Sequence, residues 1–121
     1  VTIEEGCQIT NYVTALTHSS HNSIRLHGNS YISSQGNIKG LKEGTIFIGK
    51  YSYIGAHSTI MPGSKIGKGS IVSAYSYVDG EFPDFSILRG QPAKVVGNTK
   101  EIDDQLLQEY PELVNSHYMN H

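Results

Sequence analysis

An aliphatic residue returns at every sixth position along the middle of this sequence: Ile48, Ile54, Ile60, Ile66, Val72 and Val78. Four places after each of the first five stands a serine: Ser52, Ser58, Ser64, Ser70 and Ser76. Ile, Leu and Val make up 27 of the 121 residues. Six aliphatic hits at one fixed spacing would then arise by chance about once in ten thousand reading frames, so the repeat is real. A shorter run, Ile3, Ile9 and Ala15, keeps the same spacing.

A period of six fits neither the 3.6 residues of a helical turn nor one flat strand. It fits short strands joined by tight turns, one of each per six residues, with the aliphatic side chain pointing inward. The serine sits where such a coil narrows. Gly49, Gly55 and Gly67 follow the aliphatic position and are expected to supply positive φ in the turns. Stacked coils pair edge to edge in parallel and bury one another's faces, which makes an all-β solenoid. A β-sandwich also has short strands and Gly turns, but no single fixed period.

Residues 17–45 lose the period. This polar stretch, rich in Ser, Asn, His and Gly, reads as a long loop inserted into a coil, because Ile3 and Ile48 are not a multiple of six apart. Loops of this length in compact domains are usually functional. Within it, SYISSQ has strand-like alternation, and no helical pattern puts two histidines on one face. After Val78 the period ends, and residues 98–110 read as a short α-helix. Asn98 and Glu101 form a capping box, Ile102, Leu106 and Tyr110 share one face, and Pro111 stops the run. The helix is expected to cap the open end of the solenoid, with residues 112–121 loose. The organisation expected is thus one β domain, 1–97, with a helix and tail, 98–121. The chain starts at Val1, inside the repeat pattern, which points to natural residues upstream.

Residues 99–121 carry a net charge of −4 and residues 1–98 a net charge of +2. A mildly basic body suits a small anionic ligand. No Lys/Arg-rich run with interleaved aromatics exists to track a nucleic-acid backbone. Cys7 is the single cysteine, so no internal disulfide can form and the reducing cytoplasm is the expected compartment. In the serine column it reads as a small inward filler. No apolar run approaches transmembrane length.

Three of the six histidines, His18, His21 and His27, lie in the insertion. One chemistry open to them is a three-histidine zinc site with a free position for water, the arrangement of a metal-dependent hydratase. The other is general-base catalysis. A neutral imidazole with a pKa near 6.5 accepts a proton from a hydroxyl near neutral pH. A thioester is already activated, so direct attack on it needs no covalent intermediate, only a donor for the oxyanion.

The repeats of the form Ile-Gly-x-x-Ser-x, the segment Thr17-His18-Ser19-Ser20-His21, the run TIFIGKYSYIGAHSTIMPGSKIG, the later GSIVSAYSYV and the closing Gly90-Gln91-Pro92-Ala93-Lys94-Val95 occur in one order. That set resembles the hexapeptide-repeat acyltransferases, galactoside and maltose O-acetyltransferases among them, over about residues 3–97. The resemblance implies a left-handed parallel β-helix and a homotrimer. A core of about three coils supports assembly, since solenoids this short rarely stand alone. It implies acetyl-CoA bound between subunits and a carbohydrate hydroxyl as acceptor, with THSSH nearer to enzymes of surface polysaccharides.

His18 matches the catalytic base of that family. His21 is a second catalytic candidate that orients His18, touches the acceptor or is a solvated loop residue. Ala56 and Ala74 match positions along the pantetheine arm, and Lys94 matches a residue that meets the CoA phosphates. No metal is implied. Three departures stand out. SAYS, with bulky Tyr75, replaces Gly-Ala-Gly-Ser; Asp79-Gly80 replaces a Thr-Lys pair; and Gly97 replaces a basic residue, which leaves Arg89 or Lys100 to assist Lys94. Arg25 and His27 read as solvated loop residues, His57 as structural, and Tyr51, Tyr53, Tyr75 and Tyr77 as cover for the coil exterior or a subunit interface. N-acetylation of an amino sugar and a non-catalytic scaffold are the other readings.

Overall fold

Each six-residue unit gives one two-residue strand and one turn. In the computed structural model, which describes residues 1–33 and 36–120, the chain opens with β1 (Thr2–Ile3), β2 (Gln8–Ile9) and β3 (Thr14–Ala15). The insertion follows with β4 (His18–Ser19), helix α1 (Ser23–His27) and β5 (Lys42–Glu43). The period resumes in β6 (Phe47–Ile48), β7 (Tyr53–Ile54), β8 (Thr59–Ile60), β9 (Lys65–Ile66), β10 (Ile71–Val72), β11 (Tyr77–Val78) and β12 (Glu81–Phe82). A hairpin of β13 (Ser86–Gly90) and β14 (Ala93–Asn98) leads into helix α2 (Thr99–Glu109).

Every third strand pairs in parallel. The first sheet runs β1-β6-β9-β12, the second β2-β7-β10-β13, and the third β3-β8-β11, with β14 antiparallel at the edge of the second. One coil therefore takes eighteen residues, from Ile48 to Ile66 in one sheet and from Ile54 to Val72 in the next. Ile3 pairs with Ile48, 45 positions on instead of eighteen, so the insertion adds 27 residues to a coil. The aliphatic column fills the space between the sheets, and Ile48, Ile54, Ile60, Ile66, Val72, Val78 and Leu88 are all buried. In the first coil Ile3 and Ile9 remain 50% and 40% exposed, on strands β1 and β2 at the edges of their sheets.

The serine column works through its hydroxyls. Ser52 Oγ donates to the Gly67 carbonyl (3.0 Å) and accepts from the Ser70 N–H (3.1 Å); Ser58 and Ser64 bridge to the next coil in the same way. The turn N–H groups of Ser70, Ser76 and Gly80 are thereby satisfied inside the coil. Cys7 takes this role in the first coil, with its thiol directed to the Gly49 carbonyl at 3.0 Å.

Gly49, Gly55 and Gly67 do not supply the positive φ expected of them. A Cβ on Gly55 would lie 2.5 Å from the Ala74 nitrogen, and one on Gly49 equally close to the Lys68 nitrogen. These glycines let successive coils approach. Positive φ falls two places later, on Tyr51, His57, Gly63, Gly69 and Tyr75.

Four other expectations change. The insertion is not a bare loop: β4 and β5 pair antiparallel at its base, and α1, which carries only His27, follows β4. Residues 28–30 of the SYISSQ region and its approach form a 3-10 turn and 31–33 a further turn, so no strand forms there; Ser34 and Gln35 lie outside the described residues. The β13–β14 hairpin, not α2, covers the last coil. Helix α2 is anchored at its first turn, where Thr99 donates from its N–H to the Phe85 carbonyl and from its Oγ1 to the Gly69 carbonyl. Its cap is the Asn98 side chain, which accepts from the Lys100 N–H at 2.8 Å. Finally, the tail is folded back. His117 Nε2 meets Asp103 Oδ2 at 2.9 Å, and the Tyr118 ring packs on Tyr51 at 5.2 Å with its hydroxyl over Gly69.

Candidate functional site

The insertion leaves and re-enters the coil at one edge, between the third and first sheets. There the Thr17 carbonyl accepts from the Gly44 N–H at 3.0 Å. Gly44 is a glycine because a Cβ would meet the Gly63 backbone of the next coil at 2.6 Å. Beyond this tie, His18 stands opposite Glu43 and Ser19 opposite Lys42. Side chains alternate across such a ribbon. Ser19 and Lys42 are half-buried towards the coil, while His18 and Glu43 face outward and are exposed.

His18, Glu43 and Thr17 line an open recess with Gly44 and Thr45. No hydrogen bond engages the His18 ring among the described residues. Its nitrogens are accessible from this recess. His21 is held differently: its Nδ1 is 2.7 Å from Ser19 Oγ. The structure thus couples His21 to Ser19 and not to His18. Arg25 is turned back on the loop, donating to the His21 carbonyl (2.8 Å) and to Asn22 Oδ1. His27 Nε2 accepts from the Lys39 N–H at 2.8 Å. These two residues fasten the insertion together.

Ala56 and Ala74 lie on another edge, between the second and third sheets, one coil apart. The Ala56 carbonyl accepts from the Tyr75 N–H at 2.9 Å. Beside them runs a column of rings. Tyr12 stacks on His57 at 5.0 Å and His57 on Tyr75 at 4.8 Å, with interplanar angles of 19° and 9°. All three residues have φ near +60°, which throws each side chain out from the corner. Tyr75 therefore stands as a fin along the alanine edge, and His57 is sandwiched within the column. Lys94 in β14 is directly opposite Arg89 in β13, both exposed. Lys100 is elsewhere, its ammonium 4.4 Å from the Phe85 ring centre.

Within one chain, then, His18 is on one edge, and Ala56, Ala74, Lys94 and Arg89 are grouped towards another; the third sheet separates them. Sequence reasoning missed Glu43, the cross-strand neighbour of His18, and the engagement of Lys42 with Asp79. Two-residue strands carry no periodicity to read, so no signal pointed to either. An apolar recess between α2 and the tail, lined by Leu106, Leu107, Tyr110 and Leu113, is remote in sequence and sheet position from all of these residues. Among the described residues, no three of His, Cys, Asp and Glu are grouped closely enough to hold a metal ion. No helix among them is long and apolar enough to cross a membrane.

The family described as bacterial transferase hexapeptide (six repeats) matches residues 45–80. A Bacillus subtilis (strain 168) protein named "Putative acetyltransferase YvoF" is 38% identical over 63 residues, which are 52% of this chain and 37% of that protein. The chain spans well under half the length of the curated relatives it matches. Among solved structures, AntD, an N-acyltransferase from Bacillus cereus in complex with dTDP and 3-hydroxybutyryl-CoA, superposes with a TM-score of 0.67 and 25% identity, over 90% of this chain and 59% of that one. A galactoside acetyltransferase in complex with coenzyme A has a TM-score of 0.59 and 23% identity, over 84% of this chain and 50% of that one, a likeness of fold. With its six-residue period and parallel eighteen-residue coils, the chain is thus similar to the bacterial transferase hexapeptide family over residues 45–80 and to acetyltransferases over about half its length.

Proposed function

We propose that this chain carries the catalytic part of an acetyl-CoA-dependent O-acetyltransferase acting on a carbohydrate hydroxyl, a sugar of a surface polysaccharide. The observation that carries the reading is the accessible His18 ring, presented outward by a β-ribbon at an edge of the coil. His18 removes the proton of the acceptor hydroxyl as its oxygen attacks the thioester carbonyl. The tetrahedral oxyanion collapses, the C–S bond breaks, and the thiolate of CoA leaves with the proton returned from His18. Backbone amides near Ala56 are the candidates for holding the oxyanion. His21 acts on the acceptor side, since its hydrogen bond to Ser19 directs it away from orienting His18.

The unit is residues 1–97, with 98–121 appended, and the coil is a left-handed β-helix. It works as a homotrimer in the cytoplasm. Separation of His18 from the Ala56–Ala74 edge within one chain supports this, because two chains side by side can bring one edge of each together. The pantetheine arm would pass Ala56 and Ala74 beside the Tyr75 fin, and the CoA phosphates would meet Lys94 and Arg89. Two like charges directly opposite on a strand pair repel, and an anion between them removes that cost. Lys100, occupied with Phe85, takes no part.

Likeness to AntD over nearly the whole chain favours a second reading, transfer to an amino group of a nucleotide sugar. Both readings are tested by thiol release from acetyl-CoA with a panel of sugars, nucleotide sugars and amino sugars, on the full-length protein. His18→Ala is expected to lose about a hundredfold or more in rate while still binding acetyl-CoA. Equal rates for the two proteins, or no binding of acetyl-CoA by either, would overturn the assignment.

A further inference from the structure

We infer that Lys42 and Asp79 form a clamp that sets His18 in its working position. The inference rests on His18 being the base, as proposed above. Lys42 Nζ donates to both oxygens of the Asp79 carboxylate, at 2.7 and 2.8 Å. Lys42 belongs to the insertion, in register with Ser19, the residue after His18. Asp79 follows β11, two coils further along the same edge. The two side chains are each 34% exposed, whereas the Lys50–Glu5 pair is longer, at 3.4 Å, and 51% and 67% exposed.

The ribbon needs such a tie. Among the described residues it has two residue pairs and the Thr17–Gly44 bond at its base, and isolated two-stranded ribbons are marginal in water at best. Because neighbours alternate, a grip on Lys42 fixes the coil-facing side of the ribbon and leaves the opposite side, with His18 and Glu43, presented outward. Asp79-Gly80 stands where the family resemblance leads one to expect a Thr-Lys pair. A carboxylate there cannot serve an anionic ligand, but it has a cationic partner 37 residues back. Misplacing a catalytic group by about 1 Å can cost a hundredfold in rate, so a modest loosening is enough to be read in turnover.

The test compares wild type, Asp79→Asn and the exchanged pair Lys42→Asp/Asp79→Lys in the full-length protein. Two quantities are read: hydrogen exchange of the amides of residues 17–19 and 42–44, and steady-state acetyl transfer. Asp79→Asn is expected to speed exchange in those segments alone. It should lower kcat about tenfold, with the KM for acetyl-CoA within about twofold. The exchanged pair is expected to recover most of both. Unchanged exchange, faster exchange with unchanged kcat, or losses that the exchanged pair does not recover overturn the clamp. His18→Ala, run alongside, separates the two readings: if it is fully active the base assignment fails, and the exchange data alone then decide whether the clamp holds the ribbon.

Discussion

Within each six-residue unit, glycine and serine answer two different crowding problems. At Gly55 the neighbouring coil comes so near that even one carbon does not fit beside the Ala74 nitrogen. At Ser52, three places earlier, there is room for a hydroxyl and a need for one, since the Gly67 carbonyl and the Ser70 N–H both turn to it. Ser52→Ala should cost about 1–3 kcal/mol in urea unfolding, because it strands the buried Ser70 N–H, while the Gly67 carbonyl keeps its bond from Ser70 Oγ; a change under 0.5 kcal/mol, roughly the usual size for a surface substitution, would show that the rung does not matter. The column was visible in the sequence as a spacing. Its purpose was not, because the partners lie 15 and 18 positions away and become neighbours only once the coil length is known. Positive φ was misassigned to Gly49, Gly55 and Gly67 for a related reason. Glycine is the usual residue there, yet this chain places tyrosine and histidine in that conformation at Tyr12, His57 and Tyr75.

Among the elements, the regular strands were legible from Ile48 to Val78 and the irregular ones were not. β4 and β5 are two residues each, without alternation, and are recognised only by their pairing. The tail shows the same limit. Residues 112–121 read as loose, but Tyr118 finds Tyr51 and the bare face of Gly69. Burial, then the Asp103 and Asp84 carboxylates, push the Tyr118 phenol above its ordinary value. A raised value means the folded tail favours the neutral phenol. The stability this lends is whole below the ordinary tyrosine value of about 10 and is lost as pH rises through the folded value. Proteolysis within residues 110–120 should therefore quicken above about pH 10, while the coil stays intact by circular dichroism. A cleavage rate that does not change with pH would sever the tail from Tyr118. The helix face of Leu106 and Tyr110 was foreseen, but its partner was not: it borders the recess shared with the tail, not the end of the coil.

For the molecule as a whole, three edges carry three different fittings. One bears the His18 ribbon and its tie to Asp79, the second the column of rings with Ala56 and Ala74, and the third the Tyr51–Tyr118 socket. Light scattering on the eluting full-length protein should give three copies, as expected from a first and second edge that are incomplete apart; a monomer that still turns over acetyl-CoA would refute that. The division into edges was hidden from a six-residue reading, which treats all units alike. It follows that the heritable step of this architecture is eighteen residues and not six. Removing one six-residue unit from the middle would keep every aliphatic and every serine in its column. It would also turn everything downstream by one face, carrying Asp79 away from Lys42 and Tyr75 away from His57. Removing a whole coil would leave each edge its own kind of residue. A chain of this type can therefore lengthen or shorten along its axis by whole turns while its working edges stay aligned, much as a screw can be cut to length without losing its thread.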